Sequence, residues 1–133
     1  MSHITDPNCI FCKIVAGEIP SYKVYEDDSL FGFLTIKPHT KGHMLLIPKN
    51  HSDDINQMSS EEFQNLFVTG KKLADKIKTI FNPKKVSLFT MGLEVPHTHL
   101  HILPINNNHE LNLDSAYNLT KEEATEILEL YKF

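Results

Sequence analysis

Between His97 and Pro104 the chain alternates histidine with branched and apolar residues: His97-Thr98-His99-Leu100-His101-Ile102-Leu103. Side chains two apart on a strand share a face and lie about 7 Å from one another, while their neighbours point the other way. Read as a strand over Thr98 to Leu103, the segment sets His97, His99 and His101 on one face. Thr98, Leu100 and Ile102 then lie on the other. The apolar face requires a covering layer, and strand neighbours must take up the backbone hydrogen bonds. The opposite face is a row of imidazoles.

The rest of the chain supplies the material for such a sheet. With 133 residues, 41% hydrophobic and 23% charged, the sequence fits one globular domain, with a core over 9–104 and a C-terminal helical extension over 105–133. Ile10 to Ala16 reads as a helical turn ended by Gly17. Tyr22 to Glu26 and Leu30 to Ile36 form a hairpin across Asp27-Asp28-Ser29. His43 to Ile47 is a buried strand, and Val86 to Met91 another. Ser59 with Glu62, and Thr120 with Glu123, match capping boxes that open helices to about Phe81 and Lys132. The expected class is α+β, a five-stranded antiparallel sheet with two main helices. Its strands are expected to follow one another as a meander.

Charge and hydropathy narrow the partners. A net charge of −4 argues against a nucleic-acid backbone as the main ligand, because that contact needs a basic surface. Lys71, Lys72, Lys76 and Lys78 read as one solvated helix face. No run approaches the ~20 apolar residues of a membrane span. The N-terminal segment has no signal-peptide pattern, which predicts a cytoplasmic protein without a membrane partner.

Cys9 and Cys12 form a C-x-x-C pair, a spacing that turns two thiolates onto one ion. Closed zinc sites take four Cys or His ligands. His51, just past one strand end, and His97, just before another strand, are the best candidates to complete the set. Spacing alone also admits a thiol redox pair or two free buried cysteines. The redox reading would place the pair after a strand of a βαβ unit, and nothing before Cys9 resembles a strand.

The alternating histidines support a second chemistry. His97 and His101 lie about 13 Å apart on a straight strand, too far to share one ion comfortably. A neutral imidazole whose other nitrogen is hydrogen-bonded keeps one lone pair free. Such a group attacks phosphorus and forms a phosphoramidate, and a neighbouring imidazole holds a phosphate oxygen.

These residues resemble the histidine triad family. Cys9-Ile10-Phe11-Cys12-Lys13-Ile14, Gly17-Glu18-Ile19-Pro20, Gly42-His43, Leu46-Ile47-Pro48-Lys49-Asn50-His51 and the run from Gly92 to Leu103 are all similar to family segments. The resemblance implies a half-barrel sheet paired into a homodimer. It implies hydrolysis or transfer at the α-phosphate of a nucleotide conjugate, with His99 becoming nucleotidylated, His101 contacting the phosphate and His43 supporting both. It implies structural zinc on Cys9, Cys12, His51 and His97, and nucleotide contacts from Phe11, Ile14, Ile19, Phe33, Thr35, Ile36, Glu94 and Val95. Thr35 stands where many members carry an aspartate, and Leu93 where many carry a glutamine. A nucleotide-sensing or partner-binding domain on the same scaffold is the alternative reading.

Overall fold

The computed structural model describes residues 3–133. In chain order it has α1 (Ile10–Val15), β1 (Lys23–Glu26), β2 (Leu30–Leu34), β3 (Met44–Pro48), α2 (Ser60–Phe81), β4 (Lys85–Thr90), β5 (Leu100–Ile105) and α3 (Lys121–Leu130). The five strands form one open antiparallel sheet in the order β1-β2-β3-β5-β4. The α+β class therefore holds, with α2 and α3 as the main helices and α1 as a short third.

The meander does not hold. From β3 the chain crosses over α2 to the outer strand β4, then returns as β5 between β3 and β4. The reason lies in composition. Leu100, Ile102 and Leu103 of β5 are fully buried, whereas β4 is half-buried along most of its length and suits an edge. β2 and β3 are buried at every position, as strands covered on both faces must be.

Alternation sorts these strands into two layers. Leu30, Leu34, Met44, Leu46, Leu100 and Ile102 face α2 and α3, where they pack with Leu66, Leu73, Ile77 and Ile127. Each such side chain contributes about 2 kcal/mol on burial. Phe31, Phe33, Leu45 and Ile47 face the other way and pack against α1 through Phe11, Ile14 and the two cysteines. Register then aligns Phe33 with Leu45, Leu45 with His101, and His101 with Phe89. His101 thus sits in a row that crosses the sheet on the α1 side.

Three local expectations change. β5 starts at Leu100 rather than Thr98, because the backbone N–H of Thr98 donates to Ser52 O at 2.7 Å and its hydroxyl meets Ser52 Oγ at 2.9 Å. β5 also runs through Pro104 to Ile105; pairing with β3 stops at Ile102, so the missing N–H of Pro104 costs no bond on that side. Ser59 and Glu62 form a full capping box on α2. Thr120 caps α3 only by accepting from the N–H of Glu123, whose carboxylate is instead taken by the Tyr117 hydroxyl at 2.8 Å. No helix among the described residues is long and apolar enough to cross a membrane.

Candidate active site and metal centre

The three histidines of the alternating run all lie toward α1, Phe11 packing edge-on to both His97 and His99, but they do not form one row along the strand. His97 precedes the strand, where its N–H donates to Val95 O at 2.8 Å in a tight turn. The turn sends its ring toward α1, while His99 and His101 stay on the α1 side of β5 with ring centroids 5.0 Å apart. The expected single row is therefore split into two clusters.

In the first cluster, donor atoms of Cys9, Cys12, His51 and His97 all lie within 4.8 Å of one another. His97 Nδ1 is 3.3 Å from Cys9 Sγ and 3.6 Å from Cys12 Sγ, and His51 Nδ1 is 3.5 Å from Cys12 Sγ. The two Nδ1 atoms are 3.2 Å apart. A tetrahedral zinc ion with bonds of about 2.3 Å to sulfur and about 2.05 Å to nitrogen requires S···N edges near ~3.5 Å and an N···N edge near ~3.3 Å. Three S···N edges and the N···N edge match these lengths and the remaining separations stay within 4.8 Å, so the residues fit zinc.

The surroundings favour the same use. His97 Nε2–H donates to Pro48 O at 2.9 Å, which leaves Nδ1 bare toward the thiols. The N–H groups of Cys12 and Asp6 point at Cys9 Sγ and Cys12 Sγ, at 3.4 and 3.5 Å. Burial pushes the Cys12 thiol up and holds His97 down at about 4. A bound cation reverses that preference for the thiol by stabilising the thiolate.

In the second cluster, ring polarity follows from the partners. His99 Nδ1–H donates to His97 O at 2.7 Å, so its lone pair is on Nε2. The N–H of His39 donates to His43 Nδ1 at 3.0 Å, so the proton of His43 is on Nε2. That Nε2–H donates to His101 Nδ1 at 2.9 Å, so the proton of His101 is in turn on Nε2. Every buried side-chain nitrogen and oxygen among the described residues has a partner. The Nε2 atoms of His99 and His101, which bond to no protein group, therefore face solvent.

One bare nitrogen and one N–H donor thus stand side by side. Burial keeps the rings neutral: it lowers His99, holds His101 at about 4 and takes His43 to about 2, with neighbouring imidazoles adding to the last two. Phe11 packs edge-on to His99 at 5.1 Å, and Phe89 stacks on His101 at 4.5 Å. A bare imidazole nitrogen beside a neutral N–H donor is equipped to attack an electrophile and hold its oxygen.

The residues expected around a nucleotide are divided. Phe11, Ile14 and Phe33 are buried together, with Ile19 and Val95 packed against them. Ile36 is 68% exposed and lies outside that group. Thr35 is half-buried, and its hydroxyl accepts from the N–H of Lys37 at 3.2 Å. Glu94 is exposed, and its charge acts on His99 in the direction opposite to burial. Leu93 is 90% exposed. A cavity of about 610 Å³ lies elsewhere, beside Ser59 and Glu62 at the start of α2. Chemistry rather than concavity marks the site.

Three participants were not foreseen. Phe89 had a visible signal, since it is an aromatic on the strand that pairs with the histidine strand. His39 and Ser115 had none, because their roles depend on where the C-terminal segment packs.

Known proteins place this geometry. The HIT domain family model matches residues 16–108. Protein hit of Bacillus subtilis is 43% identical over 104 residues, covering 73% of this chain and 70% of that protein. An adenosine 5′-monophosphoramidase of Saccharomyces cerevisiae is 36% identical over 100 residues, 74% of this chain and 63% of the relative. The crystal structure of a Zn-bound histidine triad family protein from Mycobacterium smegmatis superposes with a TM-score of 0.78 at 28% identity, covering 93% of this chain and 92% of that one. With the family match spanning most of the chain and the fold in agreement with that of solved relatives, this protein belongs to the histidine triad (HIT) family.

Proposed function

We propose that this protein is a nucleotide hydrolase or nucleotidyltransferase acting at the α-phosphate of a nucleotide conjugate, with His99 as nucleophile. The observation that carries this is the opposite presentation of two adjacent Nε2 atoms, bare on His99 and protonated on His101. The Nε2 lone pair of His99 attacks phosphorus and a P–N bond forms; the bond to the leaving group breaks, its electron pair staying on the leaving atom, which takes a proton from solvent water. Nε2–H of His101 holds a non-bridging oxygen as charge develops on it. Water then attacks phosphorus and gives up a proton to solvent, and the P–N bond breaks, returning the lone pair to His99 Nε2. The carbonyl of His97 steadies the ring throughout by accepting from Nδ1.

The relative that is an adenosine 5′-monophosphoramidase supports a phosphorus–nitrogen bond as the one broken. Cys9, Cys12, His51 and His97 would hold zinc, which ties α1 to the segment entering β5 and supplies no chemistry at the phosphate. The base would lie against Phe11, Ile14, Ile19, Phe33 and Val95, with Thr35 and Ile36 toward the sugar. A homodimer formed by this chain is part of the same reading.

A second reading, a nucleotide-binding domain without turnover, draws on Thr35 and Leu93. The Thr35 hydroxyl is engaged by its own loop and Leu93 points to solvent. Intact-protein mass spectrometry after incubation with adenosine 5′-phosphoramidate separates the two. A nucleotidyl adduct or product formation that disappears in His99→Ala supports catalysis. Nucleotide binding with neither, from folded zinc-loaded protein, supports the second reading.

A further inference from the structure

We infer that the C-terminal segment 105–133 sets the hydrogen-bond polarity of the active site through His39, a positioning residue whose backbone N–H is held on His43 Nδ1. The inference rests on the preceding reading only for its catalytic consequence; the ring protonation it describes is independent of any substrate.

The loop that joins β2 to β3 carries both His39 and His43, and it is gripped along its length by residues from beyond β5. Upstream of His39, the N–H groups of Leu119 and Tyr117 donate to Ile36 O and Pro38 O, both at 3.0 Å. At His39 itself, ring Nδ1 lies 3.1 Å from Glu110 O and 2.9 Å from Ser115 Oγ. A carbonyl oxygen only accepts, so His39 carries its proton on Nδ1 and donates into this pair. Downstream, the buried Tyr131 hydroxyl donates to Gly42 O at 2.6 Å. Gly42 has φ +98°, and a Cβ there would stand 2.5 Å from that hydroxyl and 2.6 Å from the Phe81 ring. Only glycine admits both the turn and the docking of α3.

What this clamp fixes is a direction. A backbone amide donates and cannot accept, so an amide held on His43 Nδ1 forces the proton of that ring to Nε2. His43 must then donate to His101 Nδ1, and His101 must present N–H at its free Nε2. Were the amide withdrawn, the relay could run the other way: His101 would donate from Nδ1 and show a bare lone pair at Nε2, which repels a phosphate oxygen. One peptide N–H therefore selects which end of a two-imidazole relay meets the substrate. Most of the segment that holds it lies beyond the family match at 16–108.

The test is nitrogen-15 NMR of the histidine rings in zinc-loaded protein without substrate, with steady-state kinetics alongside. Wild type should show His43 and His101 protonated at Nε2 and bare at Nδ1. His39→Leu, which removes the ring donor, should give mixed tautomers at both rings, with kcat down about tenfold and KM within about twofold. His39→Asn, whose amide places an N–H near the original Nδ1–H, should restore the wild-type pattern. Ser115→Ala, a milder change at one of the two ring partners, should also mix the tautomers and keeps the test open if His39→Leu misfolds. Wild-type ring protonation persisting in folded His39→Leu or in Ser115→Ala, or mixed tautomers persisting in His39→Asn, would overturn the inference. Correct tautomers in a wild-type protein that neither turns over nor forms an adduct would sink the catalytic reading and leave this one standing.

Discussion

The two histidine clusters draw on the same seven-residue run and use imidazole in opposite senses. At the metal centre His97 is bare on Nδ1, because Nε2–H is taken by Pro48 O, and the lone pair points inward at the thiols. Two residues on, His99 is bare on Nε2, because Nδ1–H is taken by His97 O, and the lone pair points outward to solvent. The residue type is the same, and the difference lies in which ring nitrogen a carbonyl oxygen occupies. Backbone acceptors therefore decide which nitrogen of each ring is left free, and toward what it points. His97 belongs to both clusters, lending its side chain to one and its carbonyl to the other.

The largest expected effect falls on the outward cluster alone. His99→Ala should lower turnover about 10³-fold or more while zinc stays at about one per chain by elemental analysis. Zinc lost along with activity would show that the clusters are not separable. Next is the inward cluster. Cys12→Ser should lose the metal and about 3 kcal/mol of stability in denaturant unfolding, since a structural ion contributes directly to folding. Addition of a strong chelator to wild type should reproduce the loss. A Cys12→Ser protein of unchanged stability would leave the cluster as packing only. Between these lies His97→Cys, which keeps four metal ligands and the backbone carbonyl under His99. It should retain zinc and stay within about tenfold of wild-type kcat; a loss comparable to His99→Ala would mean that the imidazole of His97 serves both clusters.

The smallest effect is a pH slope. Burial holds His101 at about 4 and His43 at about 2 in the folded protein, whereas an unfolded histidine titrates near ~6.5. Between pH 6.5 and 4 the unfolded chain binds more protons than the folded one. Stability therefore rises with pH across that window and is lost on acidification, by about 1.4 kcal/mol per pH unit for each fully responding ring. Urea unfolding of wild type and His101→Asn at pH 6.5 and 5 checks this, and the variant should have the shallower dependence. Equal slopes would show that the His101 ring contributes nothing to the acid sensitivity.

Much of the candidate site was legible because its signals are local. The C-x-x-C spacing, the alternation of His97, His99 and His101, and the Ser59–Glu62 box each follow from periodicity or from reach within a few residues. Strand limits were less legible. Thr98 leaves the sheet for Ser52, and Pro104 stays in it because β3 has already ended. Neither fact has a signature within the segment it affects. Strand order was missed for a similar reason: Leu100 and Ile102 mark β5 as buried, but only the crossing of α2 shows that burial was achieved by insertion between β3 and β4.

By itself, then, the sequence determined the residue chemistry: two thiols and two imidazoles with the composition of a zinc site, and two further imidazoles two residues apart on a strand. Tertiary structure alone decided which nitrogen of each ring is free. That choice depends on Pro48 O, His97 O and the His39 N–H, two of them supplied by other parts of the chain. A histidine in sequence is chemically symmetric enough to serve either way, and a backbone donor or acceptor brought against one edge by folding removes that symmetry.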